Sequence, residues 1–275
     1  MRSGVLTFFT AESITPVDLA VALEERGFGS LFATEHSHVP VGTKTPYPMG
    51  GPIPPEYYRT MDPFVSLTAA AVAAKSLVLG TGIALVAQRD PIQMANEIAS
   101  LDVVSNGRFC FGAGVGWLRE EIANHGVDPS VRGRVVDERL RAMIEIWTKD
   151  EAEFHGEYVD FDLIYSWPKP VTKPYPPLYL GGGPAGFQRI ADLGAGWMSL
   201  GPSAAFIADD LVKLHDVVGP DVPVIGSHVG DPKADELAAY VALGIEHLVV
   251  HLPTAPRDES LRFLDDLQAE FAKLG

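Results

Sequence analysis

The sequence holds one cysteine, Cys110, so it can form neither an internal disulfide nor a cage of thiolates around a metal. Positive charge is scarce as well. Lys and Arg number 21 against 36 Asp and Glu, a formal net charge of −15 at pH 7. A surface of that sign repels phosphodiester backbones and anionic lipid, so neither nucleic acid nor a membrane surface is an expected partner. No run approaches the ~18 consecutive apolar residues of a spanning helix. Residues 1–9 are apolar only briefly and lack the core and cleavage site of a signal peptide, which predicts a cytoplasmic location. Both standard nucleotide motifs are missing too. There is no G-x-x-x-x-G-K-[ST], and the run from Gly112 to Gly116 is followed by Trp117, where a dinucleotide fingerprint needs its third glycine.

What is there is apolar and periodic. Of 275 residues, 47% are apolar, enough for a core of ordinary size in one large domain or two small ones. Short β-branched or aromatic runs predict strands over residues 5–10, 30–35, 77–85, 108–112, 177–181, 196–200, 223–229 and 246–252. Between them lie segments of helical period. Asp90-Pro91 supplies a cap and a first-turn proline, followed by Ile92, Ala95, Ala99 and Val103 at helical spacing. Eight strands alternating with helices in this length predict a (β/α)₈ TIM barrel, with an open doubly wound sheet as the rival. Two long loops interrupt it, one after strand two (36–62, rich in Pro and Gly) and one before strand five (151–176). Their aromatic residues favour ordered lids over linkers. No repeat or low-complexity tract divides the chain, so a single domain over 1–275 is expected.

Chemistry concentrates at the predicted strand ends. Glu35-His36-Ser37-His38 closes strand two, where side chains of a barrel converge on its active-site mouth. Two histidines one residue apart could reach a metal, but the sixth strand segment offers no ligand and the eighth no carboxylate. No metal is therefore expected, and His38, His228 and His251 read as structural. Gly181-Gly182-Gly183 follows strand five and precedes a helix starting near Pro184. Successive glycines there form either a tight turn or an amide nest for an anion. Gly80-Thr81-Gly82-Ile83 sets glycines inside strand three, the mark of a bulge or a close approach to the backbone.

Taken together these segments resemble the luciferase-like monooxygenase family, in its branch that uses the deazaflavin coenzyme F420. The segments that carry the resemblance are Ala33 to His36, Leu79 to Ile83, Asp90-Pro91, Leu101 to Phe109, Gly112 to Trp117 and Leu180 to Pro184. The resemblance implies a barrel with the coenzyme across its C-terminal mouth and a non-proline cis peptide at Gly82-Ile83. His36 would stand close to the reactive ring. Thr81, Gly82 and Ile83 would lie at one ring face, Gly114, Gly116 and Trp117 along the tail, and Gly181, Gly182 and Gly183 at the phosphate. It also implies a homodimer.

The implied activity is hydride transfer between the deazaflavin C5 and a small organic substrate, with His36 exchanging the accompanying proton. The alternatives are an FMN-dependent monooxygenase on the same fold and, from another class, a metal-dependent hydrolase using His36 and His38. One departure is chemical. Family members acting on a sugar phosphate keep a carboxylate where this chain has Trp117, which cannot serve as a general acid or base, and a tryptophan where it has Pro40.

Overall fold

The computed structural model describes residues 1–274. Its strands in chain order are β1 (Arg2–Thr7), β2 (Ser30–Ala33), β3 (Val78–Thr81), β4 (Ala84–Leu85), β5 (Phe109–Gly114), β6 (Glu151–His155), β7 (Asp160–Tyr165), β8 (Leu178–Gly181), β9 (Gly196–Met198), β10 (Val224–His228) and β11 (His247–His251). The helices are α1 (Pro16–Glu25), α2 (Pro63–Ala73), α3 (Pro91–Ser105), α4 (Arg119–Asn124), α5 (Arg132–Thr148), α6 (Phe187–Leu193), α7 (Ala204–Val218), α8 (Ala234–Ala242) and α9 (Arg257–Ala272). Parallel pairing runs β3-β2-β1-β11-β10-β9-β8-β5, and β3 also pairs with β5. That last pairing closes an eight-stranded barrel, with β4 continuing the β3 segment alongside β5. The open-sheet alternative is thereby set aside.

Local chemistry explains where the helices begin. Thr15, Asp62 and Asp90 each cap a helix through a side-chain oxygen that accepts a backbone N–H, and each is followed by proline in the first turn. Helix α3 stops at Asn106, whose φ of 55° takes the left-handed turn that ends a helix.

Alternation along each strand sorts the core into two layers. Val5, Leu31, Leu79, Phe111, Leu180 and Val250 join the main cluster that also holds the helices. Leu6, Phe32, Cys110, Met198, Ile225 and Val249 form a separate cluster from six different strands, which fills the barrel interior. Burial there pushes the Cys110 thiol up to about 12, so it packs as a small apolar group.

Two predicted boundaries move. The first strand starts at Arg2, because the Arg2 N–H reaches the Glu246 carbonyl at 2.7 Å and draws the chain into register with β11. The stretch before strand five is not all loop: β6 and β7 form an antiparallel hairpin, pairing Ala152 with Ile164. Ala152 is fully buried, and Phe161 and Ile164 pack against the main core. A helix packed over one side of the hairpin supplies what an isolated pair of strands lacks.

Candidate active site

The mouth lies at the C-terminal ends of the barrel strands. Near it the interior side chains give way to glycines. A Cβ on Gly114 would sit 1.9 Å from Ile83 Cδ1, and one on Gly181 would sit 2.9 Å from the same atom. Ile83 thus occupies space that β5 and β8 vacate by carrying glycine. The peptide between Gly82 and Ile83 is cis. Thr81 is fully buried and faces its neighbour strand. Its hydroxyl donates to the Gly112 carbonyl (2.7 Å) and accepts the Gly112 N–H (3.1 Å), which ties β3 to β5.

His36 follows β2 with a side chain only 5% exposed, and its Nδ1 lies 2.7 Å from Oε2 of Glu121, which is wholly buried on α4. The other carboxylate oxygen of Glu121 accepts the backbone N–H of Ser37 at 2.9 Å and of His38 at 3.4 Å. Burial by itself would raise the Glu121 carboxyl. The hydrogen bond from His36, together with the His38 N–H, outweighs it and holds the group below the usual carboxylate range. An ionised Glu121 can only accept, so Nδ1 carries the ring proton and Nε2 is left for other work. Nε2 makes no hydrogen bond among the described residues.

The segment 36–62 folds over this pair. Tyr57 sits 4.8 Å from the His36 ring and 4.5 Å from Phe8, and Trp117 sits 5.8 Å from His36 and 5.7 Å from Tyr47. Phe8 in turn meets His251 at 5.8 Å. Burial holds His251 down at about 4, so it is neutral at physiological pH. Neighbouring carboxylates on α4 pin the two parts of the loop. Glu121 binds residues 36–38, and Glu120 accepts the N–H groups of Lys44 (2.8 Å) and Thr45 (3.1 Å) and the Thr45 hydroxyl (2.6 Å). These bonds, the hydroxyl first, take Glu120 down to about 2.

Glu35, adjacent to His36, has a structural task. Its carboxylate accepts the Leu85 N–H and the Arg89 Nε–H, each at 2.6 Å. Arg89 also pairs with Asp62 and, at 3.1 Å, with Glu97. One guanidinium therefore binds the end of β2, the α2 cap and α3 beside the mouth. Burial raises the Glu35 carboxyl, with Arg89 working against it.

The remaining predicted residues lie apart from the His36–Glu121 pair or serve the scaffold. Gly116 takes a φ of 77° that favours glycine, and its carbonyl accepts from Arg132 Nε at 3.2 Å. Gly182, with φ of 122°, has open space where a side chain would stand, and its carbonyl accepts the Trp197 indole N–H at 2.8 Å. The turn at Pro184–Gly186 precedes α6, which starts at Phe187. His38 lies within hydrogen-bond distance of Ser37 and of Asn124, and His228 faces Tyr240 of α8. His36 and His38 thus turn to different partners. Among the described residues no three His, Cys, Asp or Glu side chains converge as a metal-binding set.

Sequence reasoning missed Glu121, Phe8, Tyr47 and Tyr57. The signal for Glu121 was present: a pair of acids, Glu120 and Glu121, is separated by three residues from the glycine run that ends at Gly116. A carboxylate absent at Trp117 arrives four residues later, in the first turn of α4.

Known proteins share this chain's sequence pattern and its fold. The model of the luciferase-like monooxygenase family matches residues 13–211. An uncharacterised protein of Mycobacterium tuberculosis, Rv0953c, is 35% identical over 281 residues, covering 99% of each chain. An F420-dependent glucose-6-phosphate dehydrogenase of Gordonia bronchialis is 29% identical over 69% of this chain and 54% of its own. An FMNH(2)-dependent dimethylsulfone monooxygenase of Pseudomonas putida is 27% identical over 48% of this chain and 38% of its own. Among solved structures, the monooxygenase RslO1 of Streptomyces bottropensis superposes with a TM-score of 0.81 at 18% identity, covering 100% of this chain and 99% of that one. An F420-dependent secondary alcohol dehydrogenase in complex with an F420-acetone adduct gives 0.76 at 18% identity, covering 100% of both chains. The chain belongs to the luciferase-like monooxygenase family.

Proposed function

We propose that this protein is an F420-dependent oxidoreductase acting on a small organic substrate, with His36 as the residue that gives or takes the proton. The observation that carries the reading is the His36–Glu121 pair: a buried imidazole with its tautomer fixed, under aromatic side chains at the barrel mouth. The F420-dependent relative matches more of this chain than the FMNH(2)-dependent one, 69% against 48%, which supports the deazaflavin.

The residues fit a flat, phosphate-bearing group. Ile83 would back one face of a ring, between Gly114 and Gly181. Gly116 and Trp117 would border the coenzyme tail, and the bare backbone of Gly181, Gly182 and Gly183 would meet its phosphate. When bound, the deazaflavin supplies two-electron hydride chemistry. The protein's own part is position and proton. Glu121 holds His36 by Nδ1, so that Nε2 can accept a proton from, or return one to, a substrate oxygen. Phe8, Tyr47, Tyr57 and Trp117 exclude water from above and offer aromatic faces to an apolar substrate. The loop that carries Tyr47 and Tyr57 is where substrate choice would reside.

The FMN-dependent monooxygenase reading is favoured by the Pseudomonas relative and meets the same test. Titration of the purified protein with F420 and with FMN, followed by fluorescence, should give micromolar or tighter F420 binding and clearly weaker FMN binding. FMN binding at least about tenfold tighter than F420, a gap of ~1.4 kcal/mol, would instead establish the flavin enzyme.

A further inference from the structure

The opposite, N-terminal end of the barrel holds two joined cavities that the proposed chemistry does not use. The outer one measures about 730 Å³ and the inner one about 160 Å³, and both are lined by Arg2, Tyr179 and His247. The outer volume lies in the range of roughly 300–1,000 Å³ usual for small-molecule sites. Cys110 and Ile225, at the floor of the barrel interior, line the inner cavity.

At the junction Arg2 is exposed to water and Tyr179 and His247 partly so, and the Arg2 and Tyr179 side chains are not spent on bonds within the protein. Among the described residues, no carboxylate lies within 4.0 Å of the Arg2 guanidinium, and its side chain makes no hydrogen bond. The Tyr179 hydroxyl has no partner either. His247 meets the Ser30 hydroxyl at 2.7 Å through Nε2, which leaves Nδ1 free. Arg108, which also lines the inner cavity, is already committed to the carbonyls of Ser105, Leu77 and Ala71. Burial, with the Arg2 charge second, holds His247 down at about 4, so the positive charge comes from Arg2 and, beside the inner cavity, Arg108. The outer cavity adds an apolar wall of Leu211, Val222, Leu243 and Ile245. Its two acids, Asp221 and Glu246, are both exposed to water and do not line the inner cavity.

We infer that this end of the barrel binds an amphipathic carboxylate, its head group on Arg2, Tyr179 and His247 and its apolar body along Leu211, Val222, Leu243 and Ile245. A guanidinium fork and a phenol are complementary to a carboxylate, and the neutral imidazole adds one more donor or acceptor. The site is separate from the mouth and does not depend on which coenzyme the mouth takes.

Octanoate is the probe, with octanol as the uncharged control. Binding is read from the His247 ring resonances by NMR and from the rise in melting temperature. Octanoate should bind at least about tenfold tighter than octanol. Arg2→Gln should weaken octanoate at least about tenfold, and Tyr179→Phe severalfold, with the melting temperatures of the ligand-free variants and the F420 titration unchanged. Octanoate binding weaker than about 10 mM, equal binding of octanol, or full affinity in Arg2→Gln would each overturn the site.

Discussion

His36 and Glu121 stand 85 positions apart in sequence and meet at 2.7 Å, imidazole Nδ1 to carboxylate Oε2, with neither side chain open to solvent. The partnership fixes which ring nitrogen faces the mouth. Glu121→Gln keeps the size of the side chain but turns an all-acceptor group into one that must set an amide N–H₂ against a donor. The nitrogen-15 shifts of His36 should change from a single Nδ1–H tautomer to a mixture, and kcat should fall roughly tenfold or more, part of what one positioned acid or base contributes. An unchanged tautomer with full kcat would leave Glu121 no positioning role.

Arg89 is the hub of the ion network beside the mouth, holding Glu35, Asp62 and Glu97. Arg89→Met strands a buried carboxylate at Glu35 and should cost about 3–5 kcal/mol in urea unfolding. Adding Glu35→Gln should return a large part of that loss, because the unpaired charge is gone. Equal stability of single and double variants would contradict the pairing.

Stability should depend on pH through His247 and His251, both held down at about 4 by burial against an ordinary 6.5. Between these values the unfolded chain binds protons that the folded chain refuses. The stabilising contribution is therefore complete above pH 6.5 and declines as pH falls toward 4. Glu121 adds to the loss only below the ordinary carboxylate value of 4.5, since its carboxyl is held down in the fold. Melting temperatures from pH 7 to pH 5 should fall, and His251→Phe, which keeps the contact with Phe8, should flatten the curve. A flat wild-type profile would refute the assignment.

Gly114→Ala should overpack the mouth, since the added carbon meets Ile83 head-on. The cost is about 1–3 kcal/mol, and Ile83→Ala in the same background should relieve part of it. Additive losses in the double variant would show that the two side chains do not share that space.

The barrel was legible because its eight strands are short apolar runs set between segments of helical period, one of them with an explicit Asp90-Pro91 start. Gly82-Ile83 was legible as a cis peptide through family resemblance alone, as composition and period carry no such signal. The β6–β7 hairpin was passed over because its alternation is weak: Phe161 and Ile164 are only partly buried, and Leu163 and Tyr165 point outward. Glu121 escaped for a different reason. An acid near the start of a helix is ordinarily a solvated residue favoured by the helix dipole, and only closure of the barrel brings it under His36. The aromatic cover was equally hidden, since Tyr57 reaches Phe8 and His36 only once the loop folds back.

The central claim is that His36 carries a proton for chemistry done by a coenzyme held elsewhere on the mouth, and the most direct measurement is kcat of His36→Asn beside its F420 affinity and melting temperature. The account predicts a fall in kcat of roughly 10²–10⁴-fold with the melting temperature and coenzyme affinity largely kept. Near-normal kcat per folded molecule would contradict it, whatever became of stability.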